Sequence, residues 1–301
     1  MGRRTALRLI GGGVAAALTG CSNNDNMCFP VPFSSGSSAT PTGFGCTIYA
    51  QDTIDRSLDL IAGCGGVSVR AGLNGNLDFS DAVCAEAAKR GMRVVLISPY
   101  ASQPVDIAEY AANCAAIHRR YVQYNPIWEI WNEPNLAQYW GAPPDVDAYT
   151  RLAISTAQAL RQAGATDVWS GGTSGIDVAW TYPMKVQGAF NVMNGCAVHS
   201  YNEPCSAYAE YVKVTALMPP GVLVHTTESC VPSTTDQDSF LRQMWYVHRL
   251  LGIPTLIWCE LRDGTAGAHG PYAFPYGLVY ADYAPKTSYY TAKSLTAPAK
   301  T

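Results

Sequence analysis

The sequence predicts an α/β chain folded as a single-domain (β/α)8 TIM barrel. Short β-branched runs alternate strictly with longer helix-patterned stretches, eight of each. Alternation of this kind implies a parallel sheet with crossover helices. The alternating part begins at Gly43 and spans about 255 residues, the usual size of such a barrel. No G-x-G-x-x-G turn follows the first strand, which argues against an open doubly wound sheet.

The elements follow in order. Strand one is read over 43–50, and the helix over 52–63 sets Ile54, Leu58 and Ile61 on one face. Strand two covers 66–70 and ends at Arg70; a helix follows over 79–90. The unbroken apolar run 92–99 is a strand buried on both faces, followed by an alanine-rich helix over 104–121. Strand four, 127–131, leads to a long helix over 146–163 closed by Gly164. Strand five covers 168–171 and its helix 179–193; strand six covers 197–201 and its helix 206–217. Strand seven covers 222–227 with a helix over 235–251, and strand eight 254–260 with a last helix over 285–295. Asp236 and Asp238 sit at a helix start and read as caps rather than metal ligands.

The N-terminus reads differently. Residues 1–8 carry Arg3, Arg4 and Arg8 and no acid, and an apolar stretch follows over 9–18. That stretch is too short for a stable span, which needs about 20 apolar residues. It fits a signal peptide over 1–20. Leu18-Thr19-Gly20-Cys21 resembles the lipobox of bacterial lipoproteins, which implies acylation of Cys21. The arginine pair with Leu7 and Arg8 is similar to a twin-arginine export signal. Residues 21–42, rich in Ser, Asn, Pro and Thr, read as a flexible tether before a catalytic domain over 43–301. The expected location is the bacterial cell envelope, with the membrane as partner through lipid on Cys21. Removing the leader takes away three arginines and no acid, so the charge goes from −3 to −6.

Composition removes several classes of function. Apolar residues make up 48% and charged ones 14%, too apolar for a disordered chain. The charge of −3, with no basic cluster past the leader, argues against nucleic acid as a partner. Ten cysteines include no C-x-x-C pair, which excludes common zinc and thioredoxin-type sites. The five histidines show no metal-binding spacing, and no phosphate loop occurs, so no metal or cofactor is expected. Gly172-Thr173-Ser174-Gly175 falls one residue short of a nucleophile elbow. The chain is expected to act as a monomer.

Barrels of this type carry their chemistry at the C-terminal ends of the strands. Those ends hold Arg70, Trp131-Asn132-Glu133-Pro134-Asn135, His199-Ser200-Tyr201, Thr227-Glu228-Ser229 and Trp258-Cys259-Glu260. Paired carboxylates suit glycosidic bond cleavage, where one acid protonates the leaving oxygen and the other attacks the sugar carbon. Tryptophans suit the apolar faces of sugar rings. Glu129, inside strand four, is read as pointing into the barrel or pairing with a buried arginine. Glu260 and Arg262 are read as contacting substrate or pairing with each other.

The Trp131-Asn132-Glu133-Pro134 run closely resembles the strand-four signature of clan A glycoside hydrolases, in the manner of family 39-like or family 5-like members. The resemblance covers roughly 43–297. It implies Glu133 as acid/base and Glu228 as nucleophile, hence retention of configuration by double displacement on a polysaccharide or oligosaccharide. It further implies His199 and Tyr201 as the strand-six pair, Arg70 as support for the nucleophile, and Trp258 as the aromatic floor of the catalytic subsite. Asn132 is placed to bond a sugar 2-hydroxyl. Tyr139, Trp140, Trp180 and Tyr182 lie in later loops as candidate sugar subsites. Short to moderate loops suggest an open cleft and endo action on a β-linked glycan. Transglycosylation by the same residues, or a non-catalytic carbohydrate-binding barrel, are the alternatives.

An oxidising compartment permits disulfides. Cys205 with Cys230, Cys28 with Cys46, and one pair among Cys64, Cys84 and Cys114 are the expected bridges. Cys259 is expected as a buried free thiol.

Overall fold

In the computed structural model the described residues are 43–73, 77–100, 106–141, 143–264 and 275–298. The leader, the tether, Cys21 and Cys28 lie outside them. Eight strands close a parallel barrel in sequence order, β1 to β8. They are β1 (Gly43–Thr47), β2 (Ser68–Gly72), β3 (Arg93–Ile97), β4 (Ile127–Asn132), β5 (Asp167–Ser174), β6 (Gly195–His199), β7 (Leu223–Ser229) and β8 (Thr255–Trp258). Between and after them lie α1 (Ile54–Gly63), α2 (Leu77–Lys89), α3 (Ile107–Tyr121), α4 (Ala137–Trp140), α5 (Val146–Gln162), α6 (Val178–Val186), α7 (Pro204–Leu217), α8 (Gln237–Leu251) and α9 (Thr287–Thr296). The sequence-predicted barrel is therefore the fold observed.

The helices start where short polar side chains satisfy free backbone N–H groups. Asp106 accepts from Ala108 and Glu109, Asp145 from Asp147 and Ala148, Asp177 from Trp180, and Asp236 from Ser239. The single long helix expected over 179–193 is broken. Its α part stops at Val186, and Gly188 at φ +81° turns the chain into a short 3-10 segment, Ala189–Asn191. The extra four-residue helix α4 sits in the loop after β4.

Two aromatic insertions shape the barrel wall. Gly195 lies where a Cβ would stand 2.1 Å from the Trp169 ring, so only glycine leaves room for that indole. The ring stacks on His225 at 3.7 Å. Tyr149 of α5 reaches between β4 and β5; its hydroxyl donates to the Ile130 carbonyl at 2.9 Å and accepts from Gly171 N at 2.7 Å. A side chain thus bridges the ladder where strand four bends toward the site.

The expected bridges to Cys46 and Cys230 and the pair within Cys64, Cys84 and Cys114 do not form, because all five are free buried thiols. Cys46 lies in β1, Cys84 in α2 and Cys114 in α3, while Cys64 and Cys230 directly follow α1 and β7. Burial pushes the thiols of Cys64, Cys84 and Cys114 up to about 12. Cys230 follows the last residue of β7, beside β8, whereas Cys205 lies in the first turn of α7. Cys259 is free as expected but partly exposed rather than buried.

Candidate active site

Strict alternation along β4 would put Glu129, Trp131 and Glu133 on one face and Asn132 on the other. The chain breaks that alternation. Trp131 and Glu133 both adopt left-handed backbone, at φ +76° and +41°. Non-glycine residues hold such conformations at a cost of about 1–3 kcal/mol each, and they concentrate at functional sites. The turn at Trp131 sends its indole among Tyr110 and Trp140 and leaves Asn132 beside Glu129 in the barrel. Backbone bonds fix the turn: Trp131 N donates to Ser98 Oγ at 2.8 Å, and Glu133 N to the Gly172 carbonyl at 2.9 Å.

Arg70 organises the centre. It is 1% exposed, and its Nε donates to Glu129 Oε2 at 2.7 Å. Its Nη2 donates to Glu129 Oε1 at 3.1 Å and Asn132 Oδ1 at 3.0 Å, and its Nη1 donates to Glu228 Oε1. Glu129 also accepts from Gly172 N and from Thr227 Oγ1, both at 3.0 Å. The reading of Glu129 as partner to a buried arginine holds. Burial raises its carboxyl, but Arg70 and His199 outweigh that and hold it at about 2.

His199 stands between the carboxylates. Its Nδ1 is 2.9 Å from Glu133 Oε1 and 3.6 Å from Glu228 Oε2, and its Nε2 is 3.6 Å from Glu129 Oε1. Burial lowers its imidazole, yet Glu228, Glu129 and Glu133 overcome this and push it up to about 10. The surrounding carboxylates thus favour the protonated ring, while the Arg70 guanidinium, 3.3 Å from Nε2, opposes it. Its close approach to β5 requires Gly172, where a Cβ would lie 2.2 Å from Nε2.

Glu228, at the end of β7, receives hydrogen bonds from Arg70 and from the Tyr201 hydroxyl. Burial raises its carboxyl, but the His199 and Arg70 charges and the Tyr201 bond prevail and keep it below the ordinary carboxylate range. Tyr201 lies two residues past β6, in the loop, with 39% of its surface exposed.

A carboxylate oxygen of Glu133, one of Glu228 and a His199 ring nitrogen lie within 4.8 Å of one another. Three ligand atoms at that spacing resemble a metal cradle. The same three groups, two carboxylates and an imidazole in hydrogen-bond reach, are also a set that can hold and move protons.

Three of the aromatics expected at the substrate are buried. Trp258 is fully buried, edge-on to Phe240 of α8, with its Nε1 donating to the Tyr276 carbonyl at 2.8 Å. Cys259, the next residue, touches the Tyr49 hydroxyl at 3.7 Å beside Glu228 and Tyr201. Trp140 and Trp180 are 1% and 8% exposed. They belong to a ladder in which Trp131, Trp140, Tyr149 and Trp180 follow one another at 5.3, 5.9 and 6.0 Å between ring centres. This ladder packs behind strand four. Tyr139, half-buried and edge-on to Tyr100, is the loop aromatic that feels both Glu133 and Glu228. Arg262 pairs with Asp52 at 2.7 Å rather than with Glu260, whose Oε1 accepts from Gly264 N at 3.0 Å.

No family model and no curated protein matches the sequence. Solved structures do. A family 39 glycoside hydrolase from the gut symbiont Bacteroides cellulosilyticus WH2 superposes with a TM-score of 0.72 at 17% identity, over 85% of this chain and 64% of that one. The barrel is shared with glycoside hydrolases. A monomeric beta-xylosidase from Caulobacter crescentus CB15 gives 0.69 at 15% identity, over 87% of this chain and 69% of its own. A psychrophilic family 10 endo-beta-1,4-xylanase gives 0.61 at 14%, over 84% of this chain and 96% of its own. This chain thus spans about two thirds of the family 39 structures it matches, and nearly all of the xylanase. At these identities the likeness is one of fold.

Proposed function

We propose that this barrel is a retaining glycosidase of clan A type, with Glu228 as nucleophile and Glu133 as acid/base. The observation that carries the reading is the facing of Glu133 and Glu228 across His199, with carboxylate oxygens within 4.8 Å. Retaining enzymes hold their carboxyl groups about 5–5.5 Å apart, whereas inverting ones leave roughly 6.5–9.5 Å for a water. The glycosidase neighbours support the same chemistry.

Glu228 attacks the anomeric carbon as the bond to the leaving oxygen breaks, and Glu133 gives that oxygen its proton. Arg70 and Tyr201 keep Glu228 ionised for the attack. Water then attacks the glycosyl–Glu228 ester. Glu133 takes a proton from that water, and Glu228 departs as carboxylate. His199, donating to Glu133 Oε1, fixes the carboxyl in place and leaves its other oxygen to carry the proton. Arg70 occupies Asn132 Oδ1, so the Asn132 amide N–H groups are what it can offer a sugar 2-hydroxyl.

The substrate is read as a β-linked glycan cut internally by a monomeric enzyme. Export of a leader over 1–20 and acylation of Cys21 would fix it to the bacterial envelope. A Cys21→Ala variant should then shift from membrane to soluble fractions. The activity itself is tested by incubating the chain with a panel of polysaccharides, sizing the products and following their anomeric configuration by NMR. Initial β products of mixed length support the reading. Initial α products, or no cleavage of any glycan, overturn it.

A further inference from the structure

Cys230 stands two residues past Glu228 and Cys259 one past Trp258, and the barrel brings the two cysteines together at its active rim. Ser229 of β7 is in register with Trp258 of β8, and Cys259 N donates to the Ser229 carbonyl at 3.3 Å. The next pair in that register is Cys230 and Cys259. Neighbouring strands lie about 4.8 Å apart, and disulfides bridge Cα atoms roughly 4.4–6.8 Å apart. Residues paired across parallel strands also project to the same side of the sheet. Each thiol feels the other's charge, and both are unoxidised. Cys259 is partly exposed, and Cys230 is 3% exposed.

Their surroundings are the reacting groups. The Cys259 sulfur touches the Tyr49 hydroxyl at 3.7 Å. Both sulfurs act electrostatically on Tyr201, whose hydroxyl binds Glu228. Burial, the neighbouring Cys259 and the Glu228 charge push the Cys230 thiol up, so it stays protonated in the reduced site.

We propose that Cys230 and Cys259 form a dithiol modification site that accepts a disulfide oxidant and, once closed, slows turnover at Glu228. The Cys259 thiolate attacks a low-molecular-weight disulfide, forming a mixed disulfide and expelling one thiolate. Cys230 then loses its proton and attacks the Cys259 sulfur, expelling the second thiolate. Two S–H bonds become one S–S bond, the oxidant is reduced to two thiols, and the protons go to the departing thiolates. Closure draws the Cys259 sulfur toward Cys230 and off the Tyr49 hydroxyl. That repacks the wall behind Tyr201 and Glu228. The effect on turnover rests on the glycosidase reading; the bridge does not.

The test uses the full chain incubated with oxidised glutathione, with disulfides mapped by peptide mass spectrometry and activity followed on an aryl glycoside. The expected result is a Cys230–Cys259 bridge and a loss of roughly tenfold or more in kcat/KM, since displacements of about 1 Å near the chemistry cost up to 10²-fold. Dithiothreitol should restore the rate. In a Cys230→Ser variant the glutathione adduct should stay trapped on Cys259. Failure to map the bridge in wild type overturns the site, whatever the enzyme cleaves. A mapped bridge with an unaltered rate overturns its effect on turnover.

Discussion

Arg70 ties Glu129 to Glu228: one guanidinium donates to both carboxylates from within the barrel. Glu129 is thus the counter-charge that lets a buried arginine serve the nucleophile. Glu129→Gln keeps the shape and removes the charge. Breaking a buried ion pair costs on the order of 3–5 kcal/mol, so thermal unfolding should drop by that order. kcat/KM should also fall, because Arg70 would swing its charge to Glu228 alone.

The pH dependence follows from signs. The Glu228 carboxyl is lowered in the folded chain, so it stays ionised as pH falls through the ordinary carboxylate range. The acid limb of kcat/KM should therefore lie below pH ~4.3. His199 is raised from 6.5 to about 10. Its stabilising charge is fully present below 6.5 and is lost as pH rises through 10. Denaturation midpoints should decline over that alkaline window in wild type and be flatter in His199→Gln.

Gly172 is a steric requirement. Any Cβ there meets His199 Nε2 at 2.2 Å and Glu129 Oε1 at 2.8 Å. Gly172→Ala should displace the imidazole and lower kcat by on the order of 10²-fold, with the fold retained by circular dichroism.

Trp140 separates packing from binding. As a member of the buried ladder, Trp140→Ala should destabilise by roughly 3–5 kcal/mol. Trp140→Phe should leave KM for oligosaccharides unchanged. A large rise in KM with unaltered stability would support the subsite role.

The alternation of strands and helices was readable because each βα unit repeats the same local pattern, and strand ends then placed Arg70, Glu133, His199 and Glu228 on one rim. What escaped the sequence were breaks in that pattern. Left-handed backbone at Trp131 and Glu133 decides which β4 side chains face inward, and periodicity alone assumes there is none. The burial of Trp140, Trp180 and Trp258 escaped for a related reason, since composition cannot tell a wall aromatic from a pocket one. Gly172 and Tyr149 act through close approach across neighbouring strands, a signal carried only by three-dimensional packing.

The central claim is the division of labour between Glu228 and Glu133. Aryl glycosides with activated leaving groups need little protonation, so they separate attack from acid catalysis. Pre-steady-state kinetics of Glu228→Gln and Glu133→Ala on such a substrate should show no turnover in the first. The second should show a first step that survives, followed by slow release of the glycosyl enzyme. A Glu228→Gln variant turning over at the wild-type rate would contradict the assignment.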